Sequence, residues 1–332
     1  MLDPNFNQII EMIEKRKNNA YRKVNEEMIL LYLEVGKFLY ELKQNSIYGD
    51  KITTKAAEFM KNSYPSIRGF TKRNIERMIQ FYSTYKDDEI ATPLVTQLSW
   101  TNNLLILSGS KTKEERIFYL QLSIKNNYSK RELDRQITSS YYERYILSNG
   151  NQLPTTTKTI DEEDYPNTRI LDIYSLEFLD LPNEYSEKDL KNAIIKNLKN
   201  FILEVGKDFT FIKDEYRVQV GNHDFFIDLL FYNRELSCLV AFELKLGEFK
   251  AEYLGKMNLY LEALDRDVKK KQENPSVGVI LCSSKDKDVV EYSLSKNMSQ
   301  TLISEYKLKL IDKKLLETKL KEMKSLIGNN DL

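Results

Sequence analysis

Two carboxylates and one lysine stand inside segments of the chain that are otherwise apolar. Asp228 lies in the middle of the run Phe225–Tyr232, and Glu243 and Lys245 lie in the run Leu239–Leu246. A charged side chain in such a run costs several kcal/mol unless a partner compensates for the water that it loses. The three side chains are therefore candidates for a functional site rather than for ordinary surface positions.

The spacing of these residues predicts that they converge. Both runs are typical of buried β-strands, and alternation along a strand puts Glu243 and Lys245 on the same face, about 7 Å apart. The short connection 233–235 predicts a hairpin that places Asp228 opposite a residue between 241 and 243. Two carboxylates this close repel each other unless a divalent cation lies between them. The pattern therefore predicts a metal site beside an ammonium group.

The histidine count restricts the metal that such a site could hold. His223 is the only histidine among 332 residues, which excludes HEXXH metalloproteases, His-Asn-His nucleases and zinc fingers with two histidines. A Ser-His-Asp triad would have to use this residue as its base. A metal site must then be built mainly from carboxylates, whose oxygen atoms suit Mg²⁺, Mn²⁺ or Ca²⁺ better than zinc.

Composition indicates a folded protein without membrane spans. The hydrophobic content is 41%, and 7 prolines and 11 glycines are too few for a disordered chain. Cys238 and Cys282 lie in apolar runs and are predicted to be reduced core residues. The lack of a signal-peptide pattern, and of a run of about 18 apolar residues, predicts a cytoplasmic location.

Charge is balanced overall but not along the chain. Residues 1–150 carry 23 basic and 18 acidic side chains and residues 151–332 carry 27 and 32, so their net charges are +5 and −5. A basic half beside an acidic half is compatible with a binding module joined to a metal-binding module. Ordinary fluctuation in composition is the alternative, and the charges alone leave both interpretations open.

Hydrophobic periodicity predicts two different domains. Apolar residues recur at helical spacing through most of residues 1–148, which predicts an all-helical N-terminal domain. A polar stretch at 149–168 predicts a linker. Residues 169–332 change to an α-β-β-β-α-β-α-β order, which predicts an α/β domain with a mixed, hairpin-rich central sheet. The predicted fold class is therefore α+β overall.

The hairpin and the helix after it resemble the PD-(D/E)XK nuclease superfamily, whose short signature matches Asp228 and Glu243-Leu244-Lys245. Within that superfamily, nearly the whole chain is similar to the YhcG-like family of bacterial nucleases. The segments that carry the similarity are Asp224–Tyr232, Cys238–Lys245, Gly255–Leu261, Tyr174–Leu179, Ile303–Tyr306, Gly69–Asn74 and Gln97–Trp100. The resemblance implies a restriction-endonuclease-like C-terminal domain that hydrolyses nucleic-acid phosphodiesters, with DNA as the expected substrate.

The resemblance also implies roles for individual residues. Asp228, Glu243 and the backbone carbonyl of Leu244 would hold Mg²⁺, and Lys245 would orient a water molecule or stabilise the transition state. Because an unperturbed lysine is protonated at neutral pH, the electrostatic role is favoured over that of a base. Superfamily members often add an acid from the helix that precedes the sheet. Glu204 matches that place, near the end of a helix predicted over 187–205 with Ser186 as its cap. A solvated glutamate in a charged helix is the alternative interpretation.

Two sets of residues outside the metal motif are candidates for contacts with nucleic acid. Lys72, Arg73 and Arg77 lie on one predicted helix after a turn and could contact phosphates. Lys256 and Tyr260 are four residues apart on the helix that follows the hairpin and could face the substrate phosphate. For both sets, a solvated helix face or ordinary packing is the alternative interpretation.

Three hypotheses about function follow from these residues. The first is a Mg²⁺-dependent DNA endonuclease. The second is a catalytically inactive nucleic-acid-binding or partner-binding protein on a nuclease-like fold, and the third is a nuclease that acts on RNA. The intact Asp228, Glu243 and Lys245 favour an enzyme. A homodimer is a further hypothesis, because cutting both strands of a duplex usually needs two active sites.

Overall fold

The computed structural model describes residues 4–45, 51–148, 171–295 and 299–328. The predicted linker, 149–168, lies outside these residues. The chain divides into two compact units, 1–138 and 139–332, and each unit is described by itself.

The first unit is helical in the part that the structure describes. Its helices are α1 (Pro4–Asn45), α2 (Ile52–Ser63), α3 (Lys72–Tyr85), α4 (Ala91–Val95), α5 (Trp100–Gly109), α6 (Lys113–Asn126) and α7 (Lys130–Thr138). Thr71 caps α3 by accepting a hydrogen bond from the backbone N–H of Asn74. Before α7, the backbone N–H of Ser129 donates to Glu132 Oε2 at 2.8 Å and the Ser129 hydroxyl accepts from the Glu132 N–H. These caps satisfy N–H groups that the first turn of a helix leaves without partners.

Two segments that carry the family resemblance contact each other in this unit. The Asn74 side chain donates to the carbonyl of Gly69 at 2.5 Å and accepts from the indole N–H of Trp100 at 2.9 Å. The Trp100 ring packs against Tyr32 and Phe81, with centroid distances of 4.7 and 5.1 Å. The hydrogen bonds and the aromatic contacts fix the start of α3 against α5.

Helix α8 (Tyr141–Ser148) lies in the predicted N-terminal domain, 1–148, and groups with the compact unit that starts at Ser139. Ser140 has a positive φ of 55°, a left-handed conformation that an α-helix cannot continue through. Helix α7 therefore ends before α8 begins, and Arg144 of α8 is completely buried in the second unit.

The remaining elements of the second unit form a mixed sheet with helices. They are β1 (Ile173–Ser175), α9 (Glu187–Lys196), α10 (Leu198–Val205), β2 (Phe209–Val220), β3 (His223–Asn233), β4 (Cys238–Leu244), α11 (Tyr253–Ala263), β5 (Val277–Cys282), α12 (Lys287–Leu294), β6 (Thr301–Lys307) and α13 (Lys313–Gly328). A 3₁₀ turn covers Glu177–Leu179, and a π-helical turn, Leu264–Val268, extends α11.

The strand order is β1-β6-β5-β4-β3-β2. Strands β2, β3 and β4 pair antiparallel, whereas β4, β5, β6 and β1 pair parallel. This arrangement confirms the predicted mixed sheet and its hairpins. The sequence does not predict β1, since a strand of three residues has little pattern of its own and is held by pairing with the distant β6.

Helices pack on both faces of the sheet near the hairpin of β3 and β4. On one face, Phe201 of α10 contacts Phe231 and Phe242, with centroid distances of 5.9 and 5.7 Å. On the other face, α11 is buried against Ala241 and Ile280. Because side chains alternate along β4, Glu243 lies on the same face as Ala241 and therefore faces α11.

Two further sequence predictions concern the cysteines and the membrane. Cys238 and Cys282 are free thiols and are 1% and 0% exposed, as predicted. Burial raises the pKa of each thiol to about 11. In the described ranges, every helix is too short or too polar to cross a membrane.

Candidate active site

Strand register places the two predicted carboxylates opposite each other. Leu229 of β3 pairs with Phe242 of β4, so the next position along each strand holds Asp228 and Glu243. The backbone N–H of Leu244 donates to Asp228 Oδ2 at 2.8 Å, which fixes this carboxylate against β4. The predicted position of Asp228, opposite a residue between 241 and 243, is therefore confirmed at residue 243.

The two oxygen atoms of Glu243 have different surroundings. Glu243 is only 1% exposed. Its Oε1 accepts from the ammonium groups of Lys256 at 2.7 Å and Lys245 at 3.1 Å. Its Oε2 is buried and has no hydrogen-bond partner among the residues that the structure describes. An unsatisfied carboxylate oxygen in a buried position is costly, and a bound cation is one way to satisfy it.

Asp228 is also in an unfavourable position for a charge. Burial first, and the nearby Glu243 second, raise the pKa of Asp228 to about 6. The hydrogen bond from Leu244 and the charges of Lys245 and Lys256 act in the opposite direction but do not cancel the rise. Two carboxylates with this mutual repulsion form a site that favours a divalent cation.

Lys245 is held between two carboxylates. Its Nζ lies 3.1 Å from Glu243 Oε1 and 3.2 Å from Glu187 Oε2, and 5.5 Å from the centre of the Tyr253 ring. Burial alone would lower the pKa of Lys245, but Glu243 and Glu187 together raise it above the usual lysine value. The side chain is therefore an ammonium group in this arrangement.

Glu187 is the residue that sequence reasoning missed. It is the first residue of α9, and its second oxygen accepts from the backbone N–H of Leu246 at 3.3 Å. The resemblance implied an acid from the helix before the sheet, for which the sequence indicated Glu204, whereas Glu187 is the acid of this region that contacts Lys245. Its place in the sequence could have indicated this residue, because Glu187 directly follows Ser186, the predicted N-cap of the helix.

Glu204 does not join this cluster, which corrects the prediction that it adds a catalytic acid. The side chain is fully buried and forms an ion pair with Arg144 of α8. The same Glu204 oxygen accepts from the backbone N–H of Ser175 at 2.7 Å. The predicted helix over 187–205 is in fact two helices interrupted at Asn197. Glu204 thus ties α8, α10 and β1 together.

Lys256 and Tyr260 also differ from their predicted role as a pair that faces substrate. Lys256 Nζ contacts Glu243, although its side chain remains 47% exposed. Burial alone would lower the pKa of Lys256, but its hydrogen bonds to Glu243 and Tyr260 raise it. Tyr260 is fully buried, and its hydroxyl donates to the carbonyl of Phe226. Tyr260 is therefore part of the core, and only Lys256 reaches both the site and solvent.

The predicted basic residues of α3 lie in the other unit and divide into two groups. Arg73 and Arg77 line a groove between helices, whereas Lys72 does not. Arg73 and Arg77 are four residues apart and share one face of α3, whereas Lys72, one residue before Arg73, lies on a different face.

The donors at the hairpin fit a hard divalent cation. In the described ranges, no group of three or more His, Cys, Asp and Glu side chains could hold a metal ion. Two carboxylates are present instead, one of them with a buried oxygen that lacks a partner. Mg²⁺ commonly binds through one or two carboxylates and completes its shell with carbonyls, water or phosphate.

Two known families match this chain. Residues 167–321 match the family described as the YhcG PDDEXK nuclease domain, and residues 8–144 match the DUF1016 N-terminal domain. The chain is also similar to the protein of Escherichia coli (strain K12) named "Putative nuclease YhcG". The two are 30% identical over 345 residues, which cover 94% of this chain and 92% of the relative.

Two solved structures are similar to part of the chain. One is a repair endonuclease from Pyrococcus abyssi, with 20% identity, a TM-score of 0.27, and coverage of 40% of this chain and 50% of that one. The other is the EndoMS-dsDNA2 complex, with 17% identity, a TM-score of 0.28, and coverage of 38% and 47%. At TM-scores this low, neither structure supports a functional assignment.

Proposed function

Because the chain belongs to the YhcG family of PD-(D/E)XK nucleases, we propose that it is a divalent-metal-dependent endonuclease that hydrolyses phosphodiester bonds of DNA. The observation that carries the proposal is the buried Oε2 of Glu243, which has no hydrogen-bond partner in the described part of the chain. Beside it lies a second carboxylate, Asp228, whose pKa is raised by burial and by Glu243. A binding protein with no catalytic role would gain nothing from this costly arrangement.

Asp228, Glu243 and the backbone carbonyl of Leu244 would hold the metal ion, with Mg²⁺ as the expected ion and Mn²⁺ as a substitute. Such an ion acidifies a bound water molecule and neutralises charge on the scissile phosphate. The Leu244 N–H keeps Asp228 oriented towards β4, which restricts the movement of the carboxylate.

Lys245 would stabilise negative charge on the phosphate during hydrolysis. It lies 3.1 Å from Glu243 and is fixed on its other side by Glu187, so its ammonium group is already oriented. Lys256 places a second positive charge on Glu243 and keeps part of its side chain in solvent. Two ammonium groups beside the carboxylates favour the approach of an anionic substrate.

The alternative is a catalytically inactive binding protein on the same fold. Such a protein has no need for the carboxylate pair, the carbonyl and the lysine together, and all of these groups are present. RNA is the alternative substrate, since the same chemistry applies to its phosphodiesters.

The test compares wild type with Lys245→Ala on duplex, single-stranded and branched DNA and on RNA, with Mg²⁺ or Mn²⁺. We expect cleavage of DNA to fall about 100-fold or more in the variant, because a preoriented charge is removed. Lys319→Ala is the matched control, since Lys319 is an exposed lysine of α13, and it should cleave like wild type.

Metal binding is measured separately by calorimetric titration of Mn²⁺. Wild type should bind Mn²⁺, and Glu243→Gln should bind it much more weakly. Absence of both cleavage and Mn²⁺ binding in wild type would favour the inactive binding protein. Equal cleavage by wild type and Lys245→Ala would contradict the role of this lysine.

A further inference from the structure

A groove of about 400 Å³ lies in the helical unit, between α3, α5 and α7. Three basic side chains line it: Arg73 and Arg77 from α3 and Lys130 from the start of α7. The hydroxyl-bearing residues Thr101 and Ser108 of α5 also line it. The groove therefore combines three cations with small polar groups in one concave surface.

The positive charges of this groove are not neutralised by the protein. None of the residues that line it is acidic. Arg77 Nη1 donates to the neutral side chain of Gln80 at 3.2 Å. In the part of the chain that the structure describes, Arg73, Arg77 and Lys130 form no ion pair. Three cations that share one groove without a counter-charge repel each other, and a polyanion would relieve that repulsion.

The spacing of the cations suits a repeating anion. Arg73 and Arg77 are one helical turn apart, which puts their Cβ atoms about 5–6 Å from each other. One strand of duplex DNA rises about 3.4 Å along the axis per phosphate, and neighbouring phosphates are further apart than this because they also turn around the axis. The two guanidinium groups can therefore reach neighbouring phosphates. Leu104 and Leu105 supply an apolar surface in the same groove, which suits the sugar between phosphates.

The groove is also held in shape before any ligand binds. Asn74 joins the turn before α3 to Trp100 at the start of α5, and Thr71 caps α3. These contacts hold the helix backbones in place, so the backbone need not rearrange for the three side chains to meet one ligand. Lys72, in contrast, carries the same charge on the same helix but lies outside the groove.

We propose that this groove binds the sugar–phosphate backbone of DNA and that Arg73, Arg77 and Lys130 bind the phosphates. The three cations meet the backbone rather than base edges, so binding is expected to be independent of sequence. The choice of DNA over another phosphorylated partner rests on the proposed nuclease function.

The test measures binding of a fluorescein-labelled DNA duplex to the full-length protein by anisotropy, with a chelator present to prevent cleavage. The variants are Arg73→Ala, Arg77→Ala, Lys130→Ala and the triple variant. Lys72→Ala is the matched control, because it removes the adjacent charge without touching the groove. Thermal melts of every variant check that the fold is retained, and the single variants give the same comparison if the triple variant is unstable.

We expect the triple variant to bind DNA about tenfold or more weakly than wild type, with Lys72→Ala unchanged. The plot of log affinity against log salt should become less steep by about 0.9 for each phosphate that the variant no longer neutralises. The proposal would be overturned if the triple variant bound DNA with the same affinity and the same salt slope as wild type. The proposal would also be overturned if Lys72→Ala weakened binding as much as each groove variant does, because binding would then not depend on whether the charge lies in the groove.

Cleavage assays separate this inference from the proposed function. If wild type cleaves DNA and the triple variant binds as tightly as wild type, only the groove proposal fails. If no DNA is cleaved but the groove variants still bind DNA more weakly than Lys72→Ala, the groove proposal stands and the nuclease proposal fails. Labelled RNA of the same sequence shows whether the groove prefers DNA, and tighter binding of RNA would overturn the choice of DNA.

Discussion

Glu243 is the residue on which the candidate site depends most. One of its oxygens is shared by two lysines, and the other is buried without a partner among the described residues. The sequence predicts Glu243 and Lys245 as a pair, but it assigns Lys256 to the substrate rather than to Glu243. Four charged side chains therefore constrain each other at this point: Asp228, Glu243, Lys245 and Lys256.

Replacing Asp228 by Asn should stabilise the metal-free protein while it abolishes cleavage. Burial and Glu243 raise the pKa of Asp228 to about 6, whereas an unfolded aspartate has a pKa of about 3.9. Between these values the folded state holds a proton that the unfolded state has released, so stability falls as pH rises through 6. Asn has a similar shape and carries no charge to bury.

Thermal melts with a chelator present test this prediction. At about pH 8, Asp228→Asn should melt above wild type, and the difference should shrink towards about pH 4, where Asp228 is protonated in the folded protein. Asp214→Asn, on the neighbouring strand β2, is the control. A variant that melts no higher than wild type at the upper pH would show that the charge of Asp228 is not destabilising.

At the scale of elements, close packing of α11 on the sheet sets the position of Lys256. A Cβ atom built on Gly278 of β5 would lie 2.5 Å from the Met257 sulfur of α11 and 3.2 Å from Leu261. Glycine at position 278 therefore lets the helix approach the strand. On the same helix, a Cβ at Gly255 would meet no atom within 4 Å.

Alanine at these two glycines should have opposite effects on stability. Gly278→Ala should lower the free energy of unfolding by about 1–3 kcal/mol, because the helix must shift or strain its side chains. Gly255→Ala should raise it by about 0.5–1 kcal/mol, since alanine reduces the freedom of the unfolded chain. Urea denaturation measures both. Similar changes in the two variants would contradict the close contact between α11 and β5.

At the scale of the whole molecule, the charge asymmetry is the same whether the chain is divided at residue 150 or at residue 138. Moving the division from residue 150 to residue 138 transfers one glutamate and one arginine, so the first unit keeps a net charge of +5. The basic groove lies in this unit and the carboxylate pair lies in the acidic unit. This distribution agrees with the proposals that the first unit binds DNA and that the second unit hydrolyses it.

A homodimer stays a prediction, and helix α1 gives it a specific form. Ile10, Val24, Leu31 and Phe38 are exposed and separated by multiples of seven residues, with Lys17 at the remaining position of this series. These side chains form an exposed apolar stripe on one face of α1, which a second copy of the same helix could cover. We expect light scattering to give twice the chain mass for wild type and the single mass for Val24→Asp combined with Leu31→Glu. The control Arg22→Glu, off the stripe, should stay dimeric, and a monomeric wild type would contradict the prediction.

The sequence by itself determined the two kinds of domain, the mixed sheet and the convergence of Asp228, Glu243 and Lys245 at one hairpin. These features rest on periodicity and on charges inside apolar runs, which are local properties of the chain. The local pattern restricted the hairpin register to Asp228 opposite a residue between 241 and 243, and the pairing of Leu229 with Phe242 places Asp228 opposite Glu243.

Only the tertiary structure decided which other charges meet the site. Glu187 and Lys256 reach it from separate helices, and Glu204, which sequence reasoning favoured, is paired with Arg144 instead. The helix interruption at Asn197 and the left-handed Ser140 also lie outside what hydrophobic periodicity can indicate. Contacts between elements far apart in the chain depend on how those elements pack, and a pattern within a single element carries no information about its partner.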